Sequence, residues 1–215
     1  MKVLTTSTLF STIMALLTSV LLVGCASNSS DRLTQATIKE PVTKDSDSYR
    51  YLVGPGDELD VFVWGNREVS GSFTVRPDGM ITTSLVEDIE VAGATPAEIA
   101  RRIEEKLSIY IRDPIVSVSV TSFAGPFSEQ VRVIGEAAKP RALSYTEHMT
   151  LLDVLIKVKG LTDFAAGNRA SLLRIENGEY KNYSLRLEDL IEEGDITANI
   201  DILPGDIIVI PEAWF

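Results

Sequence analysis

The chain is 215 residues long, 45% hydrophobic, with 20 Lys and Arg against 31 Asp and Glu and a formal net charge of −11. That balance argues against a nucleic-acid surface, which needs a basic stripe. A single cysteine and a single histidine exclude an internal disulfide and a thiolate metal cluster, so stability has to come from buried apolar area, and the length suits one large or two small domains.

Lys2 precedes an apolar run holding Phe10, Ile13, Met14, Leu16, Leu17, Val20 and Leu22, which closes on Gly24 and Cys25. A charged start, an apolar middle and a small residue before the end make a bacterial export signal. Residues 1–24 therefore read as a lipoprotein signal peptide, and Cys25 as the acylated first residue of the mature chain, anchored to a membrane rather than spanning it. Residues 4–23 are also about long enough for a transmembrane helix, although no basic stop-transfer flank follows. Cleavage removes Lys2 and no acid, leaving the chain one unit more negative. Ala26 rather than an aspartate follows Cys25, which by resemblance to bacterial lipoproteins implies sorting to the outer membrane. Residues 25–48 are polar, with few large apolar groups, and read as a tether.

Tyr51-Leu-Val-Gly-Pro-Gly-Asp57 opens the folded part. Leu59, Val61 and Val63 then alternate with Asp60 and Phe62, the period of a strand after a turn. Phe73-Thr-Val-Arg76, Pro77-Asp-Gly79 and Met80-Ile-Thr-Thr83 predict a hairpin, because proline presets φ and glycine accepts the positive φ a tight turn needs. Thr95, Pro96 and Glu98 are placed as N-cap, first helical residue and capping-box partner, and Ile99, Ile103 and Leu107 supply an apolar stripe. After Asp113-Pro114, Val116-Ser-Val-Ser-Val120 alternates as a half-buried strand, and 122–126 marks a boundary.

Val131-Arg-Val-Ile-Gly135 and Arg141-Ala-Leu-Ser-Tyr145 predict two short strands. Thr150 and Asp153 bracket the start of a helix whose buried face is read as Leu151, Leu152, Leu155 and Ile156, with Gly160 at its C′ position. Residues 171–175 and 180–185 flank Asn177-Gly178, a strong hairpin signal. A short helix over 187–191 and a last strand, Ile207-Ile-Val-Ile210, follow. Strands, a helix and more strands in each half give an α+β fold.

Pro55-Gly-Asp57 recurs as Pro204-Gly-Asp206, each before an apolar strand, and reads as one turn used twice. Candidate chemistry is sparse. His148 beside Glu147 lacks the spacing of a metal helix. Glu87-Asp88 and Glu192-Glu193 are carboxylate pairs of the kind a glycosidase needs, but neighbouring acids in an acidic chain are ordinarily solvated turns. No phosphate loop, nucleophile elbow or dinucleotide fingerprint occurs, so neither an enzyme nor a cofactor is expected. Trp64, Tyr110, Phe123, Phe127 and Tyr145 have faces that could stack on sugar rings and are equally core or interface residues; for Trp64 packing is the expectation. Trp214-Phe215 looks like the aromatic end of a β-barrel protein, but Pro204 and Pro211 interrupt the segment and no series of alternating strands precedes it.

Residues 51–64, Val75-Arg-Pro-Asp-Gly79, the helix after Thr95 and Arg112-Asp-Pro-Ile-Val-Ser-Val-Ser-Val120 resemble the polysaccharide export domain of outer-membrane polysaccharide exporters. Val133-Ile-Gly135, Thr150-Leu-Leu-Asp-Val-Leu155, Gly160-Leu-Thr162, residues 170–174 and Leu203-Pro-Gly-Asp-Ile-Ile-Val209 resemble the soluble-ligand-binding β-grasp (SLBB) domain that follows it. The resemblance implies an export domain over 49–122, an SLBB domain over 126–211 and a short tail at 212–215. It also implies a lipid-anchored periplasmic ring of identical subunits that passes exopolysaccharide or capsule polymer unchanged, partnered by an inner-membrane polysaccharide co-polymerase. Longer exporters continue into further β-grasp domains and a pore-forming helix. This chain stops at Phe215 and so resembles the short exporters, including those of exosortase-associated systems, which implies a separate outer-membrane β-barrel. Pro140-Arg141 stands where a Pro-Gly turn is usual. The alternative is a lipid-anchored module that binds or senses polysaccharide without conducting it.

Overall fold

The computed structural model describes residues 36–37 and 39–214; the signal segment, Cys25 and Phe215 lie outside the described residues. From Lys39 onward the described chain belongs to one compact unit, built around two hydrophobic clusters. The α+β reading of two successive halves holds.

The first half is a three-stranded antiparallel sheet with β1 (Glu58–Val63) between β2 (Gly71–Thr74) and β5 (Val116–Ser122). A two-stranded ribbon of β3 (Met80–Ile81) and β4 (Ile89–Glu90) stands apart from it. Alternation along β1 buries Leu59, Val61 and Val63 and leaves Asp60 and Phe62 outward. Helix α1 (Pro96–Leu107) starts at the expected capping box, the Thr95 N–H donating to the Glu98 carboxylate at 2.8 Å. Its Ile99, Ile103 and Leu107 pack with the inward residues of β1, each worth about 1.5–3 kcal/mol of transfer out of water.

The turn at Pro77-Asp78-Gly79 forms, with the Gly79 N–H donating to the Arg76 carbonyl at 2.9 Å. Its flanks make one cross-turn bond, the Arg76 N–H to the Met80 carbonyl at 2.9 Å, and beyond it do not pair as the expected hairpin. Val75 stays with the chain before β1 through its N–H to the Asp57 carbonyl at 2.8 Å, while Met80 pairs with Glu90. The segments before and after the turn thus enter different sheets. Glycine is required at 79 because an added Cβ would lie 2.7 Å from the Ala92 side chain.

The second half is a five-stranded mixed sheet in the order β7-β6-β10-β8-β9, made of β6 (Gln130–Gly135), β7 (Arg141–Ser144), β8 (Ser171–Glu176), β9 (Glu179–Ser184) and β10 (Ile207–Ile210). Strand β10 runs parallel to β6 and antiparallel to β8. Asn177 and Gly178, both at positive φ, close the β8–β9 hairpin as predicted. Arg141, despite the unusual Pro140, opens β7 opposite Val133. Helix α2 (Leu151–Val158) covers one face of the sheet, and the shorter α3 (Leu187–Ile191) adds Leu187 and Leu190 to the same core.

The buried face of α2 differs from expectation. Leu151, Val154, Leu155 and Val158 face the core, whereas Leu152 is 36% and Ile156 67% exposed. A helix turns 100° per residue, so 151, 154, 155 and 158 form one stripe and 152 and 156 its flank. Four adjacent apolar types at 151, 152, 154 and 155 concealed which stripe was inner.

Candidate functional site

The two Pro-Gly-Asp turns each fold a carboxylate into the protein. Asp57 is fully buried. One of its oxygens accepts the Ala124 and Gly125 N–H groups at 2.6 and 2.9 Å, and the other accepts the Gly54 N–H at 2.9 Å and the Tyr51 hydroxyl at 2.6 Å. Gly54 has to be glycine, since a Cβ there would stand 2.1 Å from the Gly125 carbonyl carbon. Asp206, also fully buried, accepts the Leu203 N–H at 2.8 Å and both Nε and Nη2 of Arg174 at 2.9 and 2.7 Å. Burial pushes the Asp206 carboxyl up, against the opposing pull of Arg174 and the Leu203 N–H.

Residues 122–126, expected as a boundary, are held from both sides. From the first half, Asp57 grips Ala124 and Gly125, and the Tyr51 ring meets Phe123 edge-on at 5.2 Å. From the second half, the Gln130 amide donates to the carbonyls of Ala124 and Gly125 at 3.1 and 3.2 Å, and the Ser144 hydroxyl donates to the Phe123 carbonyl at 2.7 Å. Tyr49 spans the same joint, its hydroxyl donating to the Tyr145 carbonyl at 3.2 Å and its ring edge-on to Tyr145 at 4.9 Å. Burial, then the Glu129 charge, pushes the Tyr49 phenol up to about 12. Burial, then the bond to Asp57, raises Tyr51 well beyond the tyrosine range. The halves are therefore joined by buried polar contacts, not by a free linker.

The stretch read as a tether is docked over its last residues. The Val42 N–H donates to Glu129 at 2.6 Å, Thr43 is buried, and Pro41 lies beside Gly205. Between this segment and the β8–β9 turn is a cavity of about 280 Å³ lined by Glu40, Lys44, Arg174 and Glu176 among others. Polar composition gave no hint of the docking, because a backbone N–H and a small threonine carry it.

The other candidates scatter. Glu87 and Asp88 are exposed, with Asp88 accepting from Arg76 at 2.6 Å, and Glu192 and Glu193 sit in solvent after α3. His148 has positive φ, is exposed, and has Glu147 and Asp47 at 3.9 and 4.0 Å. Among the described residues, no group of three His, Cys, Asp or Glu side chains is placed to hold a metal ion, and no helix is long and apolar enough to cross a membrane. Of the five aromatic candidates, Tyr145 is buried and Tyr110, Phe123 and Phe127 are exposed. Trp64, expected to pack, is 69% exposed. It stands at the end of β1 on the outward face, edge-on to Phe62 at 6.2 Å.

The two halves coincide with two family matches. Residues 45–121 match the family described as polysaccharide biosynthesis/export protein, and residues 129–210 match the SLBB domain. The chain is 24% identical over 163 residues to the polysialic acid transport protein KpsD of Escherichia coli, covering 74% of this chain and 28% of that protein. It is 30% identical over 132 residues to the exopolysaccharide production protein ExoF of Rhizobium meliloti, covering 55% of this chain and 30% of that protein. The chain thus aligns with less than a third of the length of these relatives.

Proposed function

The chain is a polysaccharide-export and SLBB-domain family protein, and we propose that it is a periplasmic, ring-forming component of an exopolysaccharide or capsule export channel at the outer membrane. It passes polymer without making or breaking bonds. In this reading the export domain occupies 49–122 and the SLBB domain 126–211, behind a signal peptide over 1–24 and a lipid anchor on Cys25. Its partners are the polymer, further copies of itself, an inner-membrane co-polymerase and a separate outer-membrane β-barrel. The observation that carries the reading is the ordered pair of family matches on two halves joined through Asp57, Tyr49 and Gln130.

The second reading is a lipid-anchored polysaccharide-binding or sensing module, favoured by the exposed Phe62–Trp64 pair on a face with Ser72, Ser117 and Ser119. Polysaccharide outside the cell and in the periplasm, measured in a strain lacking the protein and after complementation, separates the two. Polymer lost outside and trapped within supports export. Normal secretion in the deleted strain removes the channel reading and leaves the binding module.

A further inference from the structure

Among the described residues, none forms a layer over the outward face of the first sheet. In an antiparallel ladder, directly opposed residues share a face. The register places Asp60 opposite Ser72 on β2 and Ser119 on β5, and Phe62 opposite Ser117. One step on, the Trp64 N–H donates to the Ile115 carbonyl at 2.9 Å, bringing exposed Ile115 beside Trp64. The face is thus small and polar along most of its length, with a projecting apolar end of Phe62, Trp64 and Ile115. Phe62 braces the indole edge-on, and among the described residues the indole N–H has no acceptor. Tryptophan is among the residue types enriched at the energetic centres of protein contacts.

A matching recess lies on the other side of the same sheet, where α1 packs. The end of α1 and the loop between β3 and β4 flank an open surface recess of about 460 Å³ lined by Thr83, Leu85, Glu87, Lys106, Ile109 and Tyr110 among others. That volume is large enough to admit an indole, with one side left open to solvent. Its walls offer exposed Leu85, Ile109 and Tyr110, and Glu87 supplies an acceptor for an indole N–H. Trp64 does not line this recess, and its strand face points away from the helix side, so the same chain cannot fill it. Glu58 and Asp60 on the tryptophan face are exposed acids, and the recess carries one exposed cation, Lys106, beside the acid Glu87; Glu58, Asp60 and Lys106 have no ion-pair partner among the described residues.

We propose that Trp64 of one copy seats in the Leu85–Ile109–Tyr110 recess of a second copy, with Lys106 of that copy meeting the Asp60 face. Knob and recess are different surfaces, so the contact is heterologous and repeats from copy to copy, closing a ring when the rotation allows. This rests on the ring reading above and gives it a contact.

The test uses the full chain in detergent, half of it labelled with ¹⁵N, with p-benzoylphenylalanine in place of Trp64. Irradiation is expected to give mixed-isotope adducts on peptides containing Leu85 or Ile109 and Tyr110. In parallel, Trp64→Ala and Leu85→Asp are each expected to weaken self-association at least tenfold by sedimentation, a hot-spot effect, with the thermal melt of the monomer unchanged because both side chains are exposed. Adducts only around position 64 itself, adducts elsewhere, or none would overturn the proposal. So would unaltered self-association of both variants, or no adduct together with tryptophan fluorescence that cellohexaose quenches in the unmodified chain and not in Trp64→Ala, which would make the face a glycan platform. Should adducts form as expected while a deleted strain secretes normally, the contact stands and the export reading falls. Should secretion fail without the adducts, only the contact falls.

Discussion

Replacing Asp57 with alanine tests whether the joint is a structural weld. The side chain is fully buried and accepts four hydrogen bonds, three from backbone N–H groups and one from Tyr51. The Gly54 and Gly125 bonds are themselves buried, so alanine strands two donors that solvent does not reach. Each stranded buried donor costs about 1–3 kcal/mol. The Ala124 and Tyr51 bonds are only partly buried, and water replaces them at smaller cost. The expected loss is about 3–5 kcal/mol, a melting temperature lower by roughly 6–20 °C for a folded part of this size. Asp57→Asn keeps an acceptor for Ala124 and Gly125, and Tyr51 can accept from its amide, but the amide then opposes the Gly54 N–H. It should lose about 1–3 kcal/mol. Urea denaturation followed by far-UV circular dichroism and by tryptophan fluorescence reads both the loss and its form. With the joint broken, the halves should unfold in separate transitions. A single transition for Asp57→Ala, within about 1 kcal/mol of the unmodified protein, would refute the reasoning.

The choice of inner stripe on α2 predicts that Leu155→Ala costs about 2–5 kcal/mol while exposed Ile156→Ala stays within about 0.5 kcal/mol, read from urea midpoints. Thr95→Ala removes the N-cap of α1 and should cost about 1 kcal/mol; no change would mean the capping box is not held in solution. The carboxyls of Glu98 and Asp153 are lowered, chiefly by bonds from Thr95 and Thr150 respectively. Depressed folded values contribute stability that is present above the ordinary 4.5 and 3.8 and is lost as pH falls through the lowered values. Glu98→Gln should therefore flatten part of the stability loss below about pH 4.5. Tyr49 is pushed up to about 12, so its contribution is complete below the ordinary 10 and disappears as pH rises through 12. Absorbance titration should show this phenol ionising late and the Tyr49→Phe variant lacking that step.

Local chemistry was legible and long-range pairing was not. The capping boxes at Thr95 and Thr150, the Asn177-Gly178 turn and the alternation of β1 are each decided within a few residues, and each formed where its signal lay. The partners of β2 and β3 depend on which sheet each flank of one turn enters, and turn residues are silent on that. The Asp57 contacts reach 67 and 68 positions along the chain and the Val42 contact reaches 87, distances at which no sequence spacing operates. The repeated Pro-Gly-Asp is visible in the sequence and forms a turn at both places, the Asp57 and Asp206 N–H groups donating to the Gly54 and Leu203 carbonyls. What it did not disclose is that the aspartates are buried, because a turn aspartate ordinarily faces water. The clue was the apolar strand that follows each of them, which draws the turn against a core. Trp64 fails the opposite way: its place at the end of a strand within the family motif suggests packing, but position 64 falls on the outward parity with Asp60 and Phe62.

The joint and the proposed contact are linked through geometry. The knob and the recess both lie in the first half, so a heterologous contact there fixes the angle between neighbouring first halves and says nothing of the second. A ring closes only when every copy repeats the same rotation. Second halves that swung freely would sweep different volumes in each copy and obstruct that closure. Asp57, Gln130 and Tyr49 remove this freedom by clamping residues 122–126 and stacking Tyr49 on Tyr145. In the proposed ring, loss of Asp57 should therefore broaden the distribution of assembly sizes at temperatures where the subunit is still folded, although Asp57 touches neither surface of the contact. If Asp57→Ala instead gave closed assemblies as uniform as those of the unmodified chain, the clamp would serve stability alone, and ring geometry would have to reside wholly in the first half.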